Sequence, residues 1–598
     1  MKALNLAKAI FFSLFLTSCD GGLVINNDDY SFKVGKGFSN ISFKDFNFNV
    51  PNIEDDYSLQ TEETLNYDFI YDVSSYDKGS IISIKSGGTY LLTGENLNVS
   101  FDVDCNYDVT LILNNLNIIS TNVAPINVTN CKNLTLYLPS KTKNYLSDSK
   151  NNVQNSTIFA NSNINIQGDG YLFLNSFSKS KDSTSRSIYS KGDIKILNSH
   201  IVFNLASGSV IEGNNIEINN AQIKAEFAFL GGIVANGDCS IKDTLYIYNG
   251  GGDSIKGNNL YFENVDGYIK TNGKYVKVDK TIDELDKDGI YFIKNEADYN
   301  RINLSLFNGI ETLYSLKDSA IGFNAKNNLT ISNSKLLMDT DDNAFNAMEK
   351  INLVNNEIDI KTSNIAINSL DGVNIKTDLK NTPMIKIYSS YDGINSNNIK
   401  IDGGLNYIVS SNVGLNTYKA ESNLIEVLNQ DKLFISSSFK GFSLESDLKI
   451  NNSLLTLFSS KDAVTTYGED NYLFELVNST LVSIDPNPYF NRSNNEPLYI
   501  IALNQKIEKN SALNFYNDDF MLSIILPSNY ENVYLSIASN ELHEDSYRVS
   551  KDGFINYAFD NNVSLNLGKP KNDNLIKNIN LNSYQLSYWC HIIYFLCW

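Results

Sequence analysis

IYSKGDIKILNSHIVFNLASGS (188–209), IEGNNIEINNAQIKAEFAFLGGI (211–233), VANGDCSIKDTLYIYNGGGDS (234–254) and IKGNNLYFENVDGYIKTNG (255–273) are variants of one line. Each opens on an apolar anchor (Ile188, Ile211, Val234, Ile255), turns a small polar corner containing Gly or Asn, and then alternates apolar and polar residues. The anchors are spaced 23, 23 and 21 residues apart. A repeat near this length, filled with period-2 strands and lacking a 3.6-residue pattern, predicts a parallel β-helix in which one turn of chain makes one rung. Alternation assigns Ile194, Ile196, Ile201, Phe203 and Leu205 to the interior. The next turns contribute Ile216, Ile218, Ile223, Ala225 and Phe227, then Cys239, Ile241, Leu245 and Ile247, then Leu260 and Phe262. An antiparallel sandwich also alternates, but nothing in it requires one period with matching corners.

The rest of the chain is consistent with an all-β solenoid. A chain of 598 residues ordinarily splits into several globular domains, whereas a solenoid grows along one axis and escapes that limit. A formal net charge of −20 argues against nucleic acid and against charge-driven adhesion to anionic lipid. Six cysteines and three histidines form no CxxC or Cys/His cluster, which argues against a zinc site. Cys105 and Cys131 lie about one rung apart, so a bond between them and a pair of buried free thiols are both open.

Residues 1–18 carry Lys2 and Lys8, an apolar run from Ala9 to Leu16, and then Leu-Thr-Ser before Cys19, the pattern of an export signal too short to span a membrane. The end of that run resembles a bacterial lipobox, which implies lipidation of Cys19 and anchoring at the cell surface. A cleaved signal with a chance cysteine is the alternative. Polar residues 19–60 read as a linker, 61–275 as the N-terminal half of the solenoid and 276–485 as its C-terminal half, with the pattern blurred between Lys274 and Lys317. Residues 486–570 read as a small antiparallel β-rich capping module, and 571–598 as a tail of unknown role that holds both tryptophans.

A further signature recurs in the C-terminal half. Anchors Phe323, Phe345, Ile367, Ile394, Leu415, Phe442 and Val464 are spaced 22, 22, 27, 21, 27 and 22 residues apart. Asn follows each of the first five (Asn324, Asn346, Asn368, Asn395, Asn416). Stacked at one place on successive rungs, such amides form a ladder along the axis.

GTYLLTGENLNVSFDVDCNYDVTLILNNLNI (88–118), TIFANSNINIQGDGYLFLN (157–175), SIYSKGDIKI (187–196) and GGGDSIKG (250–257) together resemble a family of secreted bacterial carbohydrate-binding proteins. The resemblance covers roughly residues 60–275. It implies a right-handed, pectate-lyase-like parallel β-helix that holds calcium at loops and binds cellulose- or pectin-type polysaccharide without cleaving it.

Two sets of residues are candidates for that chemistry. Carboxylates at the corners offer the hard oxygen ligands calcium takes: Asp253, Asp339, Asp341, Asp342 and Asp392, with Asp462 and the Asp102, Asp104, Asp108 group behind them. Solvated turn carboxylates are the plainer reading. Tyr246, Tyr248 and Tyr261, assigned to the outer side on adjoining rungs, would offer flat rings to sugar faces, against ordinary surface packing. A lyase of this fold needs a Lys or Arg base, and Lys256 and Arg186 are available, but no catalytic motif surrounds them. A polysaccharide lyase, or an adhesin or spacer with a protein partner, are the alternatives to a non-catalytic polysaccharide binder.

Overall fold

Each turn of the solenoid is made of three short strands, because polar corners and, in most turns, one residue with positive φ interrupt the period-2 pattern; outside one longer excursion, successive anchors lie 21–32 residues apart. The computed structural model describes residues 31–32, 41–42, 64–177, 185–279, 285–286, 289–295, 298–302, 312–378, 384–418, 424–429, 432–444, 447–466, 474–486, 498–508, 511–526, 529–551, 563–565 and 573–581. The expected export signal, Cys19 and the Trp/Cys-rich end of the tail lie outside them. Met1–Lys33 with Ser39–Pro51 forms one compact unit, in which Ser31–Phe32 pairs antiparallel with Ile41–Ser42. Val34–Phe38 with Asn52–Trp598 forms the other.

In the second unit the anchors sit in a 15-stranded, all-parallel sheet that runs from Ser80–Ile84 to Asp462–Thr466. Its register stacks Ile126, Ile158, Ile188, Ile211, Ile233, Ile255, Phe323, Phe345, Ile367, Ile394, Leu415, Phe442 and Val464 in one column. The spacing read from sequence is thus correct except at one rung. Ile233 is the anchor, fully buried beneath Ile211, while Val234 pairs with Glu212 on the outer side. The true spacings are therefore 23, 22 and 22 residues.

The other two strands of each turn meet at a bend. Ile194–Leu197 leads through Asn198 to His200–Ala206, and the equivalent bends fall at Asn220, Asp243, Asn264, Asn333, Asn355, Asn429, Asn452 and Asn478. These residues have φ between 47° and 54°. Asn and Asp tolerate that left-handed region better than other side-chain-bearing residues. The side chains also join along the axis: Asn220 Nδ2 donates to Asn198 Oδ1 at 2.9 Å, and Asn264 Nδ2 to Asp243 Oδ1 at 2.7 Å. A parallel series stands at the corner before Ile194. There Asn163 donates to Asn133, the Asp193 N–H to Asn163, Asn215 to Asp193, the Asp238 N–H to Asn215, and Asn259 to Asp238.

The bend corrects part of the interior assigned from sequence. One residue in a left-handed conformation shifts the parity of everything after it. Beyond Asp243, Leu245 faces outward and is half-buried and Ile247 lies opposite Lys224 and Tyr268 on the outer side, whereas register shifts turn out Leu205, half-buried just after Phe203, and Phe227, 48% exposed between Ala225 and Ala228. The other residues assigned to the interior are buried. Cys105, Cys131 and Cys239 are free and buried, and burial pushes the Cys239 thiol up to about 12.

Two stretches depart from the solenoid. Between Asn272 and Phe323 the chain leaves the rungs, and Tyr275–Lys277, Phe292–Asn295, Asp298–Arg301 and Leu313–Leu316 form a four-stranded antiparallel sheet. It begins where the sequence pattern blurs and docks on the corner of later rungs, with Tyr275 Oη donating to Asp341 O at 2.9 Å and the Arg301 N–H to Ser363 O at 3.0 Å. At the far end Thr480–Asp485 pairs antiparallel with Val533–Ser539, which in turn pairs with Leu498–Leu503. A five-stranded antiparallel sheet completes this end and includes Asn574–Asn580, so the first part of the expected tail belongs to it. Pairing of this kind covers the edge that the last parallel rung would otherwise expose.

Candidate functional site

The three tyrosines chosen from sequence do not share a surface. Tyr246 and Tyr248 are 1% and 0% exposed and point into the core, directly beneath Ile223 and Ala225. Tyr246 Oη donates to Ser254 O at 3.0 Å, Tyr248 Oη to Gly251 O at 2.5 Å, and burial pushes both phenols well above their ordinary value. Gly232 makes room for them: a Cβ there would meet the Tyr246 hydroxyl at 2.8 Å and the Tyr248 ring at 2.9 Å. Their expected outward placement is therefore corrected, and the cause is the left-handed residue Asp243. Tyr261 does face outward and is 45% exposed.

The carboxylates chosen as calcium ligands are occupied by their own chain. Asp253, two residues before anchor Ile255, accepts from the Ile321 N–H at 3.0 Å and from Asn324 Nδ2 at 2.8 Å on the next rung, and from Ser319 Oγ at 2.5 Å. Asp392, two residues before Ile394, repeats this arrangement with the Val413 N–H at 3.0 Å and Asn416 Nδ2 at 3.4 Å, and adds Asn412 Nδ2 at 2.7 Å. Burial pushes the Asp392 carboxyl up, and Asn412, the Val413 N–H, Asn395 and the charge of Arg301 hold it back. Asp341 accepts from the Gly273 N–H at 2.7 Å, Asp342 from Asn364 Nδ2 at 2.9 Å, and Asp339 lies 3.6 Å from Lys270 Nζ. These are clamps between rungs and on the inserted sheet. Among the described residues no three His, Cys, Asp or Glu side chains gather to hold a metal, so the five do not form one ligand shell.

The outer face of the anchor sheet carries a set of residues that sequence reasoning did not bring together. The residue after each anchor points outward, and pairing runs that row through Asp102, Asn127, Phe159, Tyr189, Glu212, Val234, Lys256, Asn324, Asn346, Asn368 and Asn395. In its later part three of the five expected amides form a ladder, with Asn346 Nδ2 donating to Asn324 Oδ1 at 3.1 Å and Asn368 Nδ2 to Asn346 Oδ1 at 2.8 Å, whereas Asn416 turns to Asp392. Asp253 receives one end, and Tyr418 Oη donates to Asn368 at the other, at 2.8 Å. The earlier part is aromatic and charged. Phe159 and Tyr189 are half-buried neighbours with ring centroids 5.7 Å apart, and the Arg186 guanidinium lies 4.3 Å above the Tyr189 ring.

Two parallel hydrogen bonds fix that guanidinium, Nε to Glu212 Oε2 at 2.8 Å and Nη2 to Oε1 at 2.9 Å. The two side chains are 18% and 19% exposed. Burial would push Arg186 down, but the hydrogen bonds and charge of Glu212 carry it above its ordinary value. Asn127 is 7% exposed; its Nδ2 donates to Asp102 at 2.8 Å, while its Oδ1 has no partner. The face therefore offers two aromatic rings, a rigid fork of donors and carboxylate acceptors, with one unpaired amide oxygen buried beside them. Aromatic faces bordered by fixed polar groups suit a ligand that is apolar on one side and hydroxylated at its edge. The signal was present in the sequence, since Phe159, Tyr189 and Glu212 each follow an anchor just as the five Asn do.

Residues 78–372, which include the aromatic and charged part of this face, match the family described as carbohydrate-binding domain-containing protein. Among solved structures, a polysaccharide lyase-like protein from C. thermocellum, determined as a gadolinium derivative, is similar at 16% identity with a TM-score of 0.25. The likeness covers 52% of this chain and 95% of that one. No curated protein matches the chain.

Proposed function

We propose that the protein is a cell-surface lipoprotein, anchored through Cys19, that binds polysaccharide on the outer face of the anchor sheet without cleaving it. The observation that carries this is the Phe159–Tyr189 pair flanked by the Arg186–Glu212 fork, inside the segment that matches the carbohydrate-binding family. Sugar rings present axial C–H groups to aromatic faces, while their hydroxyls both donate and accept. Arg186 supplies donors only, and Glu212 and Asp102 supply acceptors. The fork is preorganised by its own ion pair, so a ligand orders few side chains on arrival.

Affinity electrophoresis in gels containing pectin or soluble cellulose derivatives tests this. Phe159→Ala with Tyr189→Ala is expected to lower the affinity at least tenfold, and Tyr261→Ala to change it little. Equal retardation of wild type and the double variant would overturn the placement. Calcium enters the proposal only where the glycan is acidic, as an ion recruited between its carboxylates and exposed carboxylates of the chain; the same gels run with calcium and with chelator test that part. Release of unsaturated oligosaccharides from pectin would replace binding by the lyase reading.

A further inference from the structure

The outer row of the anchor sheet has a second place where the amide ladder stops. Asn395 is 4% exposed and its Oδ1 has no partner, as is the case for Asn127 in the same row. Its other neighbours repeat the chemistry of the first face. The Arg301 guanidinium, brought there by the inserted antiparallel sheet, lies 3.8 Å above the Tyr391 ring. Its Nη1 donates to Asn364 Oδ1 at 2.6 Å, and of the five guanidinium N–H donors that bond and the one to Tyr391 use only part. Asp392, buried and bonded within the chain, supplies the charge that balances Arg301 and makes no contact with a ligand, and Tyr418 closes the side by reaching back to Asn368. Tyr391 and Tyr418 remain partly exposed.

We infer that this cluster is a second glycan subsite, and that one neutral polysaccharide chain lies along the row and occupies both. The inference rests on the proposed function and extends it. Both positions combine an Arg stacked on a Tyr, a carboxylate that balances its charge, and a buried amide oxygen without a protein partner. An unpaired buried acceptor is costly, and a ligand hydroxyl supplies the missing donor. Each Arg is balanced by a carboxylate, and the chain carries a net charge of −20, so hydroxyl groups suit the row better than uronates. Tyr189 and Asn395 are separated by seven rung steps in the pairing register, or about 34 Å at ~4.8 Å per rung. Two linked sites of this kind raise the affinity for a long chain well above that for a short one.

Calorimetric titration of the full chain with cellotetraose and with hydroxyethylcellulose tests this, with polygalacturonate as the acidic counterpart. Two cellotetraose sites per chain are expected, together with at least a hundredfold tighter binding of the polymer per site. Arg301→Ala is expected to leave one cellotetraose site at unchanged affinity and to abolish the polymer gain. Arg301→Lys, which keeps the charge and loses the planar fork, is expected to behave the same way and guards against loss of the inserted sheet. One site in wild type, or a polymer gain that survives both variants, overturns the second subsite and leaves the first intact. Binding of polygalacturonate alone overturns the neutral assignment, and no binding of any of the three overturns the proposed function as well.

Discussion

Truncating Tyr246 separates a core position from a surface one. The ring is 1% exposed, stacks beneath Ile223, and bonds through its hydroxyl to Ser254 O. Tyr246→Phe removes only the hydroxyl. Ser254 O keeps the Ile233 N–H at 2.9 Å, so the loss is about 1 kcal/mol. Tyr246→Ala removes the ring and leaves a cavity that the rungs above and below close only in part, at a cost of roughly 4 kcal/mol. In a solenoid each turn contacts chiefly its neighbours, so the loss is expected to be local. Hydrogen exchange read by mass spectrometry over 239–272 is the suitable assay. Protection there is expected to fall about a thousandfold in Tyr246→Ala, since 1.4 kcal/mol is a factor of ten, and to be nearly unchanged beyond residue 345. Polysaccharide binding by Tyr246→Phe is expected to equal wild type. Full protection in Tyr246→Ala accompanied by weaker binding would refute the register and return the ring to the surface.

Burial pushes the Asp359 carboxyl up to about 6 despite the opposing charge of Lys386, so its contribution to stability is complete below about pH 4 and is lost as pH rises through about 6. Asp359→Asn is expected to raise the thermal midpoint at pH 7 relative to wild type and to change it little at pH 4. Asp392→Ala strands the Val413 N–H and two amides, and is expected to cost about 3 kcal/mol in urea unfolding, whereas Asp339→Asn costs under 1; equal effects would mean that Asp392 is not a clamp. Cys19→Ser is expected to move the protein from the membrane fraction to the soluble fraction, and retention of the variant on membranes would point to another anchor.

The anchor column was legible because one apolar residue per turn must face the core at the same place, and Ile, Phe and Leu mark it in nearly every rung. The bend was harder to see, since a left-handed residue adds nothing apolar to the pattern. Aligning Asn198, Asn220, Asp243 and Asn264 would have set Tyr246 beneath Ile223 and placed Leu245 outside. Asp253 and Asp392 recur before anchors in the sequence, but recurrence of an acceptor in a stacked fold first serves the neighbouring rung, and only the hydrogen-bond partners distinguish a clamp from a ligand. The Phe159, Tyr189 and Glu212 row was hidden by its variety: identical Asn residues advertise a column, and unlike residues in the same column do not. Arg301 was beyond sequence reasoning, because its place beside Tyr391 depends on how the inserted sheet docks.

The excursion between Ile255 and Phe323 has a consequence for how the chain assembles. Every other junction in this column closes a loop of 32 residues or fewer, but this one must close 68. With closure entropy growing as (3/2)RT ln n, that step costs about 1 kcal/mol more than a 22-residue turn before any contact rewards it. Residues 80–272 and 323–466 are therefore expected to gather as two separate stacks, each nucleating on its own short turns, and to fuse last through Asp253 and its bonds to Ile321 and Asn324. Pulse-labelled exchange during refolding should find the Ile321 amide among the slowest to become protected, and its early protection would show that the stacks grow as one from a single end.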